Sequence, residues 1–227
     1  MEKYLSIITN FGCHYTCPYC IVKNNNIEVP ETTIDGLDNL GKTLNNNNIT
    51  IVSLSGGGDP LYKYEEHRKW YEKLLDILFR NKMPLEMHTS YLPDTTKFPF
   101  YLCKRVVYHL HSVDDLNRVR RTGKEIVRVV FVVTENFTIE DVMKIAAFVE
   151  QSPEIDELSF RQMVDHNFEE KHYLEEYLKL GHQKLWWYIE QNDYNLYYAE
   201  NKTYNSYSDF AALDVAVSLR NPVRADF

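Results

Sequence analysis

The sequence predicts an α/β protein, a partial (β/α)6 barrel with parallel strands and a C-terminal extension. Two observations carry this prediction. Six short runs with strand character alternate with segments of helical or turn-rich pattern. Strands that alternate with helices pair in parallel through right-handed crossovers. A complete eight-unit barrel needs about 250 residues. The chain has 227 residues, so an incomplete, TIM-like barrel of six units fits better.

The predicted strands are apolar runs bounded by turn residues. They are Tyr4–Thr9, Ile49–Leu54, Leu85–Thr89, Arg105–His111, Glu125–Val133 and Ile155–Arg161. The run from Glu125 to Val133 is the clearest of them, because it is rich in valine and isoleucine. These strands define the inner wall of the predicted barrel.

Helical periodicity fills most of the gaps between the strands. It predicts helices over Thr32–Leu44, Tyr64–Arg80, Ser112 to near Gly123, Thr138–Gln151 and roughly Glu169–Asn192. The second of these places Trp70, Leu74, Ile77 and Leu78 on one face. We expect such apolar faces to pack against the outside of the sheet.

We expect one domain with two parts. Residues 1–165 form the partial-barrel core. Residues 166–227 form a C-terminal helix and an extension rich in tyrosine and asparagine, which packs on the core. Within that extension, Asn201-Lys202 predicts the turn of a hairpin.

Composition limits the possible partners and the location of the protein. The net charge of -8 argues against unspecific nucleic-acid binding, which needs a basic surface. No run approaches about 18 consecutive apolar residues, so no membrane span is expected. The N-terminal residues lack the pattern of a secretory signal, and we expect a cytoplasmic protein.

Three cysteines lie within eight residues, with the spacing Cys13-x3-Cys17-x2-Cys20. Such crowding does not suit a disulfide framework and favours metal binding. Three thiolates can hold three corners of an iron–sulfur cluster and leave the fourth without a protein ligand, which makes a reactive site. The remaining cysteine, Cys103, is predicted to be a buried structural thiol.

Polar residues also gather where the predicted strands end. Barrel enzymes build their sites at the carboxyl ends of the strands. Those ends carry His88 and Ser90, His109 and His111, Thr134 and Glu135, and Arg161 and Gln162. The second strand runs directly into Gly56-Gly57-Gly58, where glycine lets the backbone approach a ligand closely.

The cysteine loop and the glycine loop together resemble the radical S-adenosylmethionine superfamily. The cysteine spacing, with Tyr19 just before Cys20, is similar to the superfamily's cluster motif. Gly57-Gly58-Asp59-Pro60 resembles its Gly-Gly-Glu-Pro motif. The usual glutamate is replaced here by Asp59, whose side chain is one methylene shorter. The resemblance extends through about residue 165.

The resemblance implies a [4Fe–4S] cluster on Cys13, Cys17 and Cys20, with S-adenosylmethionine as second cofactor. Gly56, Gly57 and Gly58 would contact its methionine moiety, with Asp59 or nearby backbone close to its ammonium group. Tyr19 would lie near the adenine. Ser90 is a further candidate for cofactor binding, and the candidate catalytic residues are His111, Glu135 and Arg161.

The implied reaction is reductive cleavage of S-adenosylmethionine to methionine and a 5′-deoxyadenosyl radical, which abstracts hydrogen from a substrate. The substrate is left open as a small metabolite, a nucleotide or a peptide, and a glycyl-radical-enzyme activase is an alternative. The electron would come from a flavodoxin-like or ferredoxin-like partner. Alternatives of another class are a zinc site and a catalytically inactive protein that carries an iron–sulfur cluster.

Overall fold

The computed structural model describes residues 3–24, 28–163, 173–190, 196–206 and 209. These residues contain one nine-stranded sheet with the order β7-β6-β5-β4-β3-β2-β1-β8-β9. The strands are β1 Tyr4–Ile7, β2 Ile51–Leu54, β3 Leu85–Thr89, β4 Arg105–Leu110, β5 Ile126–Val133, β6 Glu157–Gln162, β7 Trp187–Ile189, β8 Leu196–Ala199 and β9 Lys202–Tyr204. Neighbouring strands are parallel except for the pair β8 and β9.

Helices and 3₁₀ turns connect the strands. The helices are α1 Ile21–Asn24, α2 Leu40–Asn46, α3 Arg68–Arg80, α4 Ile139–Gln151 and α5 Glu175–Gly181, and 3₁₀ turns lie at Asp35–Leu37, Phe100–Leu102 and Val113–Arg118. None of the helices in the described ranges combines the length and apolar character needed to cross a bilayer.

The predicted α/β architecture is confirmed. All six predicted strands are present as β1 to β6, and they lie side by side in chain order. The helix predicted over Thr138–Gln151 begins at Ile139, and Thr138 caps it by accepting a hydrogen bond from the backbone of Asp141 at 3.2 Å. The predicted hairpin is present, but its turn lies one residue earlier than expected. Glu200 and Asn201 adopt left-handed φ angles of 42° and 63° between β8 and β9, and Lys202 already belongs to β9.

The long helix predicted over Glu169–Asn192 is wrong where the chain is described; residues 169–172 and 191–192 lie outside that part. Helix α5 ends at Gly181, and β7 follows. A Cβ on Gly181 would lie 2.1 Å from the Trp186 ring, so the chain folds back tightly there. The indole nitrogen of Trp186 donates to the carbonyl of Leu178 at 2.8 Å, which satisfies one helix-end acceptor.

Three other predicted helices are shorter than expected. The helix predicted over Tyr64–Arg80 begins only at Arg68. Within Thr32–Leu44, a 3₁₀ turn at Asp35–Leu37 precedes α2. The carboxylate of Glu200 accepts from the backbone and hydroxyl of Thr33 at 2.6 and 2.8 Å, which fixes this entry. The helix predicted after Ser112 is only the 3₁₀ turn Val113–Arg118.

The two faces of the sheet differ in polarity. One face carries alternate residues such as Leu5, Val52 and Val129, which are fully buried in the main hydrophobic core with α2, α3 and α4. The opposite face is mixed. It carries the polar and charged residues Ser6, Ser53, Glu86, His88, Arg105, His109, Arg128, Glu157, Ser159 and Arg161, together with apolar residues such as Ile51, Val107, Val130 and Val132. Because side chains alternate along a strand, each strand from β1 to β6 contributes at least one polar side chain to this polar face.

Candidate active site at the carboxyl edge of the sheet

The cysteine loop lies between β1 and α1. Cys13, Cys17 and Cys20 are free thiols with partly exposed side chains. The backbone N–H of Tyr15 donates to Cys13 Sγ at 3.4 Å, and that of Lys23 donates to Cys20 Sγ at 3.5 Å. Hydrogen bonds to sulfur are among the interactions that tune metal–sulfur centres.

The glycine loop after β2 packs directly on the backbone of the cysteine loop. Gly56, Gly57 and Gly58 have φ angles of 77°, 68° and 149°. A Cβ on Gly57 would lie 2.0 Å from the carbonyl oxygen of Thr9, and a Cβ on Gly58 would lie 2.2 Å from that of Gly12. The N–H of Asp59 donates to the Gly12 carbonyl at 2.9 Å. The two loops therefore form one unit.

Two adjoining cavities open beside this unit. The first, of about 270 Å³, is lined by Cys13, Cys20, Tyr19, Lys23, Gly56, Gly57, Gly58, His109, Arg161 and neighbouring residues. The second, of about 200 Å³, adds Cys17, Asp59, His88, Ser90 and His111. Eleven of the twelve predicted site residues line one or both cavities. Glu135, the remaining one, is exposed in the turn after β5 and lines neither.

Asp59 is 4% exposed, and its carboxylate is held by three hydrogen bonds. Oδ1 accepts from the backbone N–H of Leu61 at 2.9 Å and from the hydroxyl of Thr89 at 2.7 Å, and Oδ2 accepts from the backbone N–H of Ser90 at 2.7 Å. Burial raises the pKa of Asp59, against these hydrogen bonds. The carboxylate thus joins the glycine loop to the end of β3, and its contact with an ammonium group stays a prediction.

Replacement of Asp59 by asparagine is expected to lower the free energy of unfolding by about 1–3 kcal/mol. The reason is that the NH₂ group of the asparagine side chain would face a buried N–H or O–H group that also donates. Cluster iron content should stay unchanged, while S-adenosylmethionine binds more weakly. Urea unfolding, iron analysis and calorimetry measure these effects. Asp76→Asn, on the exposed side of α3, is the matched control. Unchanged stability and affinity in Asp59→Asn would contradict the linking role.

Tyr19, His111 and Ser90 join the cysteine loop to the ends of β3 and β4. The hydroxyl of Tyr19 lies 2.9 Å from His111 Nδ1, and His111 Nε2 lies 3.4 Å from the Ser90 hydroxyl. Burial, reinforced by the charge of Cys17, raises the pKa of Tyr19, so the phenol stays protonated and can donate. Cys17 Sγ is 3.9 Å from the same imidazole nitrogen.

A chain of ionisable groups leads from the cavities into the polar face of the sheet. The sequence places His88 and His109 among the polar residues at the strand ends, but its motifs predict no role for Glu86, Arg105 or Glu157. His109 Nε2 lies 3.1 Å from His88 Nδ1, and His88 Nε2 lies 2.8 Å from Glu86 Oε1. The other Glu86 oxygen binds Arg105 at 2.8 Å, and Arg105 also pairs with Glu157 at 3.2 Å. The available sequence signal was polar residues alternating with apolar ones in β3 and β4.

Acid is expected to weaken the fold through Glu86. Burial raises the pKa of this carboxyl, but hydrogen bonds and charges from His88 and Arg105 outweigh burial and lower the pKa to about 2. Because the pKa is lower in the folded state, the ionised Glu86 carboxylate stabilises the fold by about 3 kcal/mol at pH values above 4.5, the ordinary pKa of glutamate. This contribution is lost as the pH falls toward 2. Urea unfolding across this range should show the stability gap between wild type and Glu86→Gln closing; a constant gap contradicts the assignment.

Comparisons with known proteins agree with this architecture. No protein-family profile and no curated protein matches the chain. The solved structure of SuiB from Streptococcus suis matches with a TM-score of 0.56 and 14% identity, over 84% of this chain and 50% of SuiB. A radical SAM methyltransferase from Sphaerobacter thermophilus matches with a TM-score of 0.53 and 12% identity, over 88% of this chain and 69% of that protein.

At these identities the likeness establishes the fold. The chain has the α/β fold of SuiB and of the radical SAM methyltransferase, as the two sequence motifs led us to expect. It spans half of the length of SuiB.

Proposed function

We propose that this chain is a radical S-adenosylmethionine enzyme, which cleaves S-adenosylmethionine reductively and uses the resulting 5′-deoxyadenosyl radical to abstract hydrogen from a substrate. The observation that carries the proposal is the packing of the cysteine loop on the glycine loop beside one pair of cavities. This arrangement lies at the carboxyl edge of a fold shared with a radical SAM methyltransferase.

The residues present fit the two cofactors. Cys13, Cys17 and Cys20 are free thiols that line the cavities, and two of the three sulfurs accept backbone N–H bonds. They would each hold one iron of a [4Fe–4S] cluster. When bound, the cluster supplies the electron for cleavage and an open iron for the amino acid end of S-adenosylmethionine.

The side chains around the cavities have separable tasks in this proposal. Gly57 and Gly58 have no side chains, so a ligand can contact the main-chain groups of the glycine loop. Asp59 holds the glycine loop in position, and Tyr19 with His111 covers one side of the site. Arg161 provides a cation at the end of β6, where both cavities meet.

The test is anaerobic purification followed by iron and sulfide analysis, reduction with dithionite, and measurement of 5′-deoxyadenosine. We expect a brown protein with four irons per chain in the cluster that releases 5′-deoxyadenosine. Turnover against a library of metabolites, nucleotides and peptides would then identify the substrate class. A protein that binds S-adenosylmethionine but never releases 5′-deoxyadenosine, even with that library, would instead be an inactive cluster-bearing protein.

A zinc protein is the competing proposal, and the arrangement of the thiols does not favour it. Structural zinc needs four ligands around one ion. Cys103 is buried in the main hydrophobic core, while the other three cysteines line the cavities. Across the described ranges, no three His, Cys, Asp or Glu side chains are placed to hold a single ion. A [4Fe–4S] cluster asks for wider spacing, because each thiolate binds its own iron. A colourless, zinc-loaded protein would overturn our proposal.

A further inference from the structure

We propose that Glu86, His88 and His109 form a proton relay in which His109 gives or takes a proton at the substrate bound in the cavities. The inference rests on the proposed function and adds an acid–base residue to it. His109 is the proposed catalytic residue, since it lines both cavities. Glu86 and His88 are positioning residues that act through it.

The direction of the hydrogen bonds follows from Arg105. A guanidinium only donates, and Arg105 Nη1 lies 2.8 Å from Glu86 Oε2, so Glu86 is held as a carboxylate. The carboxylate can only accept, and its other oxygen lies 2.8 Å from His88 Nε2. His88 therefore carries a hydrogen on Nε2.

The same logic fixes the second histidine. In neutral His88, Nδ1 is an acceptor, so His109 Nε2, at 3.1 Å, must donate to it. Neutral His109 then has a lone pair on Nδ1, and among the described residues none hydrogen-bonds to that atom. These hydrogen bonds therefore leave Nδ1 of His109, a residue that lines both cavities, without a hydrogen.

The surroundings oppose a positive charge on His109 itself. Burial is the largest cause that lowers its pKa well below the ordinary value, followed by the charges of His88, Arg161 and His111. The other titratable groups that line the same cavities are Lys23, Tyr19, Cys13, Cys17, Cys20 and Asp59. His88, in contrast, lies against the Glu86 carboxylate, where an imidazolium gains an ion pair.

The proposed step conserves atoms and charge. A substrate N–H, O–H or acidified C–H gives its proton to His109 Nδ1, and the electron pair of that bond stays on the substrate. The N–H bond at His109 Nε2 breaks as its proton passes to His88 Nδ1. His109 ends neutral with hydrogen on Nδ1, and His88 ends as an imidazolium beside Glu86. Reversal of the same step donates a proton, and no oxidant or reductant is consumed.

The test is ¹⁵N NMR of the full, anaerobically purified chain labelled at histidine, titrated from about pH 8.5 downward, from well above the ordinary histidine pKa of about 6.5. At the start we expect His109 with hydrogen on Nε2 and a bare Nδ1. On acidification the proton should enter at His109 Nδ1 and the hydrogen on Nε2 should pass to His88, so His109 should change to the tautomer with hydrogen on Nδ1. His182 is the internal reference, because its Nδ1 accepts from the backbone N–H of Tyr188 at 2.9 Å.

A His109 that keeps one tautomer until the protein unfolds would overturn the relay. The relay would also be overturned if His109 carried hydrogen on Nδ1 at the start, or became an imidazolium. These outcomes are independent of turnover. If wild-type protein releases 5′-deoxyadenosine but fails the NMR test, the relay is rejected and the proposed function stands. The proposed function is tested separately by the cleavage assay.

Glu86→Gln provides a second test, in which the hydrogen bonds determine the tautomer expected for each histidine. Because Arg105 only donates, the amide oxygen should face Arg105 and the amide NH₂ should face His88 Nε2. Both histidines must then reverse, so His109 is expected with hydrogen on Nδ1 already at high pH. Glu157→Gln is the matched control, since Glu157 also binds Arg105 but has no hydrogen bond to a histidine among the described residues, and it should leave the tautomer of His109 unchanged. An unreversed His109 in folded Glu86→Gln would contradict the relay, and if that variant does not fold the wild-type titration decides.

Discussion

Cys17→Ala is expected to abolish cluster assembly and 5′-deoxyadenosine formation together. Under the proposed function each of the three thiolates binds one iron, so the loss of one removes a cluster ligand. The fourth cysteine, Cys103, lies in the main hydrophobic core. The same result is expected for Cys13→Ala and Cys20→Ala. Iron and sulfide content, the visible absorption of the anaerobic protein and 5′-deoxyadenosine release are the measurements.

Cys103→Ala is the matched control for these variants. Cys103 is 5% exposed in the main hydrophobic core, and burial raises the pKa of its thiol far above the ordinary value, so it is a neutral packing group. We expect full cluster content and turnover, with only the modest destabilisation of a small core truncation. Equal loss of iron in Cys17→Ala and Cys103→Ala would show that the ligand set is misassigned.

Gly57→Ala is expected to weaken S-adenosylmethionine binding and to slow its cleavage by about 100-fold, the size of effect that a displacement near 1 Å can have on the rate at a reacting site. Gly57 has a φ of 68°, and an added Cβ would lie 2.0 Å from the backbone oxygen of Thr9. A backbone atom cannot rotate away as a side chain does, so the loop itself must move. The left-handed backbone adds about 1–3 kcal/mol of strain.

Gly41→Ala separates this effect from a general response to glycine replacement. Gly41 lies in α2, where the nearest atom to an added Cβ is Asn81 Nδ2 at 3.5 Å, an ordinary contact. Alanine should stabilise this helix by about 0.5–1 kcal/mol and leave binding unchanged. Calorimetry measures the affinity of both variants for S-adenosylmethionine. Equal affinities would contradict the binding role proposed for the glycine loop.

The strands and the two loops could be predicted because their signals are local. An apolar run such as Ile126–Val133 indicates a buried strand by itself. The cysteine spacing likewise predicts a metal site from a few neighbouring residues, and that site stays a prediction. The strand order then followed from the rules of parallel pairing. These parts of the fold depend little on distant residues.

Other features could not be predicted because distant contacts decide them. Trp187–Ile189 has no clear strand signal, and it becomes a strand by pairing with β6 after the tight turn at Gly181. Asp59 matched a ligand motif, but only the fold shows that its carboxylate is occupied by Leu61, Thr89 and Ser90. Glu135 ended a strand as the other candidates do, yet its side chain is exposed in a turn away from the cavities.

The packing of the glycine loop on the cysteine loop has a thermodynamic consequence. Since the backbones of Gly57 and Thr9 are in contact, and Asp59 is bonded to Gly12, ordering one loop also orders the other. Occupancy of one loop therefore lowers the conformational entropy that the second ligand must still remove. Linkage makes this coupling reciprocal. Under the proposed function, a cluster that strengthens the binding of S-adenosylmethionine would itself be bound more tightly, by the same factor, when S-adenosylmethionine is present.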